Sequence, residues 1–330
     1  MSILKIIWRQ DLREGVLDLA LAKNALTTVV GTNEGKIHCF NKIGKTLWIS
    51  EVNDEVRAIA ISKNGKLVFA SSSDSKICCF DKRGDKLWEF QIQGIASCID
   101  YSERGKMVLA GSFDGTLYNL NKDGELLWNC SLGEEIEKVA ISNEGDLSLA
   151  ITKDKTIHCL DEGGELLWKK TLKGDVRDMA KANDDNILAL VCDDSEILAF
   201  DKNGIIKWEK DIGSQVLALN VSEETMDAFA ITKDNILISL SKKGSALWKH
   251  DMEEKVQKFA VSNDGKSFVL STESGSILSL ERLDEELEIF YEILCRGEKK
   301  CGTFVSAVYT DKCPRCSSDK TIVRIIKEKL

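Results

Sequence analysis

Apolar positions along the chain fall in short alternating runs. Within residues 41–80, Lys45–Val52 is apolar and β-prone, and Val56–Ser62 alternates. Lys66–Ser71 follows a Lys63-Asn64-Gly65 turn, and Lys76–Phe80 follows another at Asp74-Ser75. Runs of 5 to 8 residues split by Asn, Asp, Ser and Gly predict hairpin strands, whereas amphipathic helices would show a longer 3.6-residue periodicity. Four strands are expected per unit.

The unit recurs. Tryptophan occupies positions 8, 48, 88, 128, 168, 208 and 248, a constant interval of 40 residues with no net insertion. A period near 40 belongs to a propeller blade or to a helical-pair solenoid, and the strand chemistry selects the blade. The turns Asn41-Lys-Ile-Gly44, Asp81-Lys-Arg-Gly84, Asn121-Lys-Asp-Gly124 and Asp201-Lys-Asn-Gly204 each open with Asn or Asp and place Gly fourth. There the first side chain caps the turn and the glycine supplies a positive φ. A residue repeated once per unit at one register reads as a packing wedge between neighbouring sheets rather than a ligand platform, so the tryptophans are assigned to packing. Ala60, Ala140, Ala180 and Ala260 mark inner strands where blades converge.

The chain opens on a Trp-bearing strand, Leu4 to Leu12, and its last unit, Val256–Arg282, lacks one. The first segment is therefore expected to pair with residues 276–282 and close the ring, removing the strand edge an open stack would expose. The expected fold is all-β: a seven-bladed β-propeller over residues 1–282, then a small module over 283–330.

Composition supports a globular chain. The 330 residues are 43% hydrophobic and 30% charged, and no apolar run approaches the ~18 residues of a membrane span. Met1–Trp8 has neither a long apolar stretch nor a small-residue cleavage site, and eleven cysteines suit a reducing compartment. A cytoplasmic protein is expected.

Asp81-Lys-Arg-Gly84-Asp-Lys-Leu-Trp88 and its counterparts resemble the Asp…Gly…Leu-Trp repeat of the quinoprotein-like (PQQ-like) β-propellers. Ile136–Gly145 resembles the inner strand of WD40-like repeats. The chain departs from both. It lacks the Gly-His and Trp-Asp pairs of WD40 repeats, and Ile43, Arg83 and Asp123 stand where quinoprotein repeats carry Thr. The resemblance implies the propeller fold. It also implies, as one alternative, a quinone-dependent dehydrogenase.

The last 48 residues differ in kind. Cys295, Cys301, Cys313 and Cys316 are spaced C-x5-C, x11, C-x2-C between strand-like segments. This pattern is similar to a zinc ribbon, four thiolates holding one structural Zn2+ ion. A module this small has little core of its own and needs such a staple. From residue 293 onward nine basic residues face four acids, which leaves the first 292 residues at −14 of the formal −9. Lys299, Lys300, Lys312 and Arg315 are thus candidate contacts for RNA or DNA.

No Ser/His/Asp set, P-loop or nucleotide fingerprint occurs, so no enzyme is expected. The loops between second and third strands, and the axial starts of the inner strands, vary from blade to blade while the frame repeats. That face is the expected partner-binding surface, with Arg57, Phe113, Asp114, Glu137, Lys153, Arg177, Asp178, Asp193 and Lys233 as candidates. The leading reading is a non-catalytic protein-interaction scaffold with a zinc-stabilised second contact; the alternative is an RNA- or DNA-associated factor.

Overall fold

The computed structural model describes residues 3–184, 187–283, 289–295, 302–306 and 321–327, with side chains described through residues 4–182 and 194–283. All regular elements among them are strands. Two compact units are present, Leu4–Leu283 and a second comprising Met1–Ile3 with Asp284–Leu330.

The larger unit is a β-propeller. Six four-stranded antiparallel sheets are each made of consecutive strands, and a seventh is composite: Ile3–Asp11 lies outside Ser276–Leu283, Ser267–Thr272 and Val256–Val261. The inner strands are Val16–Leu21 (blade 1), Val56–Ile61 (blade 2), Ala96–Ser102 (blade 3), Ile136–Ile141 (blade 4), Val176–Asp184 (blade 5), Val216–Val221 (blade 6) and Val256–Val261 (blade 7). Each packs against the inner strand of the next blade, and blade 7 packs against blade 1, which completes the circuit. The opening segment therefore pairs with the last unit, and its side chains pin it there. Arg9 Nη2 donates to Ser276 Oγ at 2.7 Å, Ser276 Oγ donates to Asp11 Oδ1 at 2.5 Å, and Gln10 Nε2 donates to the Gly44 carbonyl at 2.9 Å.

Blades share apolar clusters. Phe40, Phe69, Phe80, Phe200, Phe229 and Phe268 are fully buried, and the inner-strand alanines 60, 140, 180 and 260 are buried where blades converge. Apart from Trp8, which is buried, the tryptophans are only half-buried, because they sit on the outermost strands. Each reaches into the next blade: Trp8 approaches Phe40 and Trp48 approaches Phe80, at ring centroid distances of 5.9 and 6.5 Å.

The turn glycine has two duties. In blade 4, Asp161 Oδ1 accepts the Gly163 and Glu165 amides at 2.9 Å each, and Gly164 adopts φ +82°. The Gly164 Cα also seats Trp128 of blade 3, whose indole Nε1 donates to the Glu162 carbonyl at 2.7 Å. A Cβ at Gly164 would lie 2.8 Å from that ring. Trp88, Trp168 and Trp208 donate in the same way to Lys122, Lys202 and Lys242. The 40-residue repeat thus couples neighbours: six tryptophans, Trp8 to Trp208, each rest on the following blade's turn glycine, while Trp248 has Asp284 at the matching position.

The smaller unit contains a three-stranded antiparallel sheet with Ile289–Cys295 between Gly302–Ser306 and Thr321–Lys327. Cys295 is the partner of both Gly302 and Thr321.

Comparing Gly164→Ala with Gly133→Ala separates the two duties. Gly133 has φ +88° and open space where a Cβ would go. Both changes should cost about 1–2 kcal/mol for a left-handed alanine. Gly164→Ala should cost a further ~1–3 kcal/mol for crowding Trp128. Urea unfolding of the two variants measures the difference; equal losses would remove the tryptophan seat from the account.

Candidate functional site: the axial channel and its mouth

Charged residues interrupt the inner strands at positions that most other blades fill with Ala or aliphatics, Asn220 and Tyr101 being the exceptions. Asp100 stands at the register of Ala20, Ala60 and Ala140, and Lys181 at that of Leu21, Ile61 and Ile141. The structure joins these departures across the axis. Lys181 Nζ donates to both carboxylate oxygens of Asp100 at 3.0 Å and to the Tyr101 carbonyl at 2.9 Å. Lys63 of blade 2 pairs with Glu223 of blade 6, whose other oxygen is 3.7 Å from Lys23 of blade 1. Nearer the opposite opening, Lys138 pairs with Asp178 at 2.9 Å.

The carboxylates also staple neighbouring blades. Asp18, Asp100 and Asp178 accept the backbone amides of Ile59, Ile141 and Leu219 at 2.8, 3.0 and 2.9 Å. The inner strand's free edge would otherwise leave these amides pointing at the channel. The remaining axial cavity has a volume of about 290 Å³.

Burial raises the Glu223 carboxyl, but Lys23, Lys63 and Lys181 outweigh it and hold the group below the usual carboxylate range. Burial pushes the Lys23 ammonium down, against Glu223 and with help from Lys181. Lys138 goes the other way, raised chiefly by the charge of Asp178.

Around the mouth, four of the expected partner-binding residues share one depression of about 560 Å³ on blades 3 to 5: Phe113, Glu137, Lys153 and Arg177. Phe113 is 42% exposed at its edge. Lys153 pairs with Glu135 at 2.6 Å and Lys155 with Asp175 at 2.7 Å, whereas Glu137, Arg177 and Lys258 make no ion pair among the described residues. The other candidates are not gathered there. Arg57 is held within its own blade by Glu55 and Ser73, and Asp178 is used in the staple. Asp114 caps its loop through the Thr116 amide at 2.9 Å, and Lys233 is exposed on a separate loop. The side chain of Asp193 lies outside the described residues.

Sequence reasoning missed Asp100, Lys181, Lys63 and Glu223. The available signal was a charge at an inner-strand register that is mostly Ala or aliphatic, or, for Lys63 and Glu223, complementary charge at one register of two blades.

The two buried histidines serve their own blades. His38 contacts Glu14 at 3.3 Å and His158 contacts Thr152 at 3.2 Å. Burial pushes the thiols of Cys39, Cys79 and Cys159 up to about 12, which leaves them unreactive. Among the described residues no group of three or more His, Cys, Asp or Glu side chains could hold a metal ion. Cys301, Cys313 and Cys316, with Lys299, Lys300, Lys312 and Arg315, lie outside the described residues, as does the side chain of Cys295.

The PQQ-like family model described as outer membrane protein assembly factor BamB matches residues 5–151 and 113–263, most of the ring. The chain belongs to this family. A comparison with curated proteins finds no match. In this BamB-family ring, matched residues carry the tryptophan, the turn glycine and the inner strands that supply the axial pairs.

Glu223 sets the expected acid response. Its folded pKa is depressed, so its stabilising contribution is complete above the unfolded value near 4.5 and is lost as pH falls below it. Glu223→Gln should cost about 2–3 kcal/mol at pH 7, less than a fully buried pair because Lys63 is partly exposed. It should also flatten the fall of thermal midpoint below pH 4.5, the unshifted value for this carboxyl. An unaltered acid limb in calorimetry would contradict the assignment.

Proposed function

We propose that this BamB-family ring is a non-catalytic protein-interaction scaffold whose mouth receives a partner between blades 3 and 5. The observation that carries the reading is Phe113, a large aromatic exposed beside Glu137, Arg177 and Lys258, charges that make no ion pair among the described residues. Aromatic and arginine side chains dominate binding energy at protein interfaces. The axial pairs, by contrast, are spent on holding blades together. The family's description as an assembly factor agrees with a role exercised through other proteins.

We further propose a cytoplasmic setting, and one structural Zn2+ held by Cys295, Cys301, Cys313 and Cys316. The zinc reading is supported by register. Cys295 is paired with Gly302, the residue after Cys301, and with Thr321, five residues beyond Cys316 in sequence. Four thiolates would make a closed structural site and supply the folding energy that a small sheet lacks.

Replacing Phe113 with a photo-crosslinking phenylalanine in the native cell should give discrete protein adducts, which Glu137→Lys with Arg177→Glu should abolish. Purified full-length chain should carry one zinc, lost on Cys313→Ser with Cys316→Ser. A folded ring without adducts at position 113 would overturn the scaffold reading; metal-free wild-type chain would overturn the zinc site.

A further inference from the structure

The seven outer strands share one scaffold task, so each serves as a control for the others. All are sheet edges with one partner strand and, among the described residues, one free side. Such edges pair with foreign strands unless charge or proline blunts them. Six are guarded by charged side chains within the strand, for example Lys86 and Glu89 in blade 2 or Lys169 and Lys170 in blade 4. Leu126–Ser131 of blade 3, Leu-Leu-Trp-Asn-Cys-Ser, carries none.

A second departure adjoins it. Leu126 and Leu127 are 42% and 46% exposed, and Leu166 and Leu167 of blade 4 are 51% and 52% exposed. Blade 7 also exposes two such side chains, Ile6 and Ile7, and blade 1 exposes Leu47 and Ile49, but Lys5 and Arg9 flank the first pair and Lys45 and Glu51 the second. In blades 3 and 4 the flanking residues are Glu125 and Glu165. The second turn position is Lys42, Lys82, Lys122, Lys202 and Lys242 in five blades and Glu162 in blade 4, whose turn contains three carboxylates and no base. Glu162 and Glu165 are exposed and make no ion pair among the described residues, while Asp161 is used to cap the turn. Because Trp128 is seated on this turn and bonded to Glu162, the unguarded strand and the carboxylates form one surface.

We propose that the free edge of Leu126–Ser131 is a strand-addition site for an extended, basic segment of a partner protein that alternates Lys or Arg with apolar residues. Its backbone pairs with the edge, its apolar side chains cover Leu126 and Leu127, and its cations meet Glu125, Glu162 and Glu165. Main-chain pairing supplies affinity in this mode, and side-chain complementarity supplies selectivity. The site lies on the outer rim, apart from the mouth.

The probe is a fluorescein-labelled peptide alternating Lys with Leu and Val, with its Glu-for-Lys counterpart as control, titrated onto the full-length chain by anisotropy. The Lys peptide should bind at least tenfold more tightly than the Glu peptide. Glu162→Lys with Glu165→Lys, or Asn129→Lys alone, should weaken it at least tenfold. Hydrogen exchange on the wild-type complex should gain protection in residues 126–131, a readout that needs no variant. Equal binding of both peptides, undiminished binding by the variants, or protection confined to another outer strand would overturn the proposal.

Discussion

Everything in the larger unit depends on one pairing, Ile3–Asp11 against Ser276–Leu283. Each blade is a small sheet that cannot bury both its faces alone, so its neighbours must cover them. A linear stack would leave its first and last sheets half bare and open at their edges. The composite blade joins the ends of the ring without a covalent bond. It also ties stability to the whole circumference, because losing the pairing uncovers blade 7 and removes the wedge Trp8 from Phe40 and Gly44 of blade 1.

The repeat provides a constant frame, and the departures from it give the molecule its polarity. Where five inner strands place Ala, blade 3 places Asp100, and the cation that answers it comes from blade 5. Asp18 and Asp178 cap amides of the following blade in the same way. Charge near the axis is therefore mostly structural. Among the described residues, Glu137, Arg177 and Lys258 at the mouth and Glu162 and Glu165 on the rim beside blade 3 make no ion pair, and the frame makes no demand on them.

Much of the architecture was legible because it was written several times over. The tryptophan interval, the Asn or Asp opening of each turn and the missing outer strand of the last unit all follow from elementary strand and turn chemistry. The companion role of the turn glycine was not, since its contact with the preceding blade's tryptophan crosses 36 residues and its positive φ alone accounted for it. The axial pairs were hidden for a similar reason: Lys181 and Asp100 are 81 residues apart, Lys63 and Glu223 160. Variation among blades drew attention to Phe113, Glu137, Lys153 and Arg177, which do converge. It drew equal attention to Arg57, Asp114 and Asp178, because a varying charge does not reveal whether a neighbour already satisfies it.

Native-state hydrogen exchange of the full-length chain tests the closure most directly. If the opening strand belongs to the ring, amides within Leu4–Asp11 exchange as slowly as those of Ser276–Leu283 and open with them in a single cooperative unit. Exchange of residues 4–11 at the rate of unstructured chain, while the blade interiors stay protected, would contradict it.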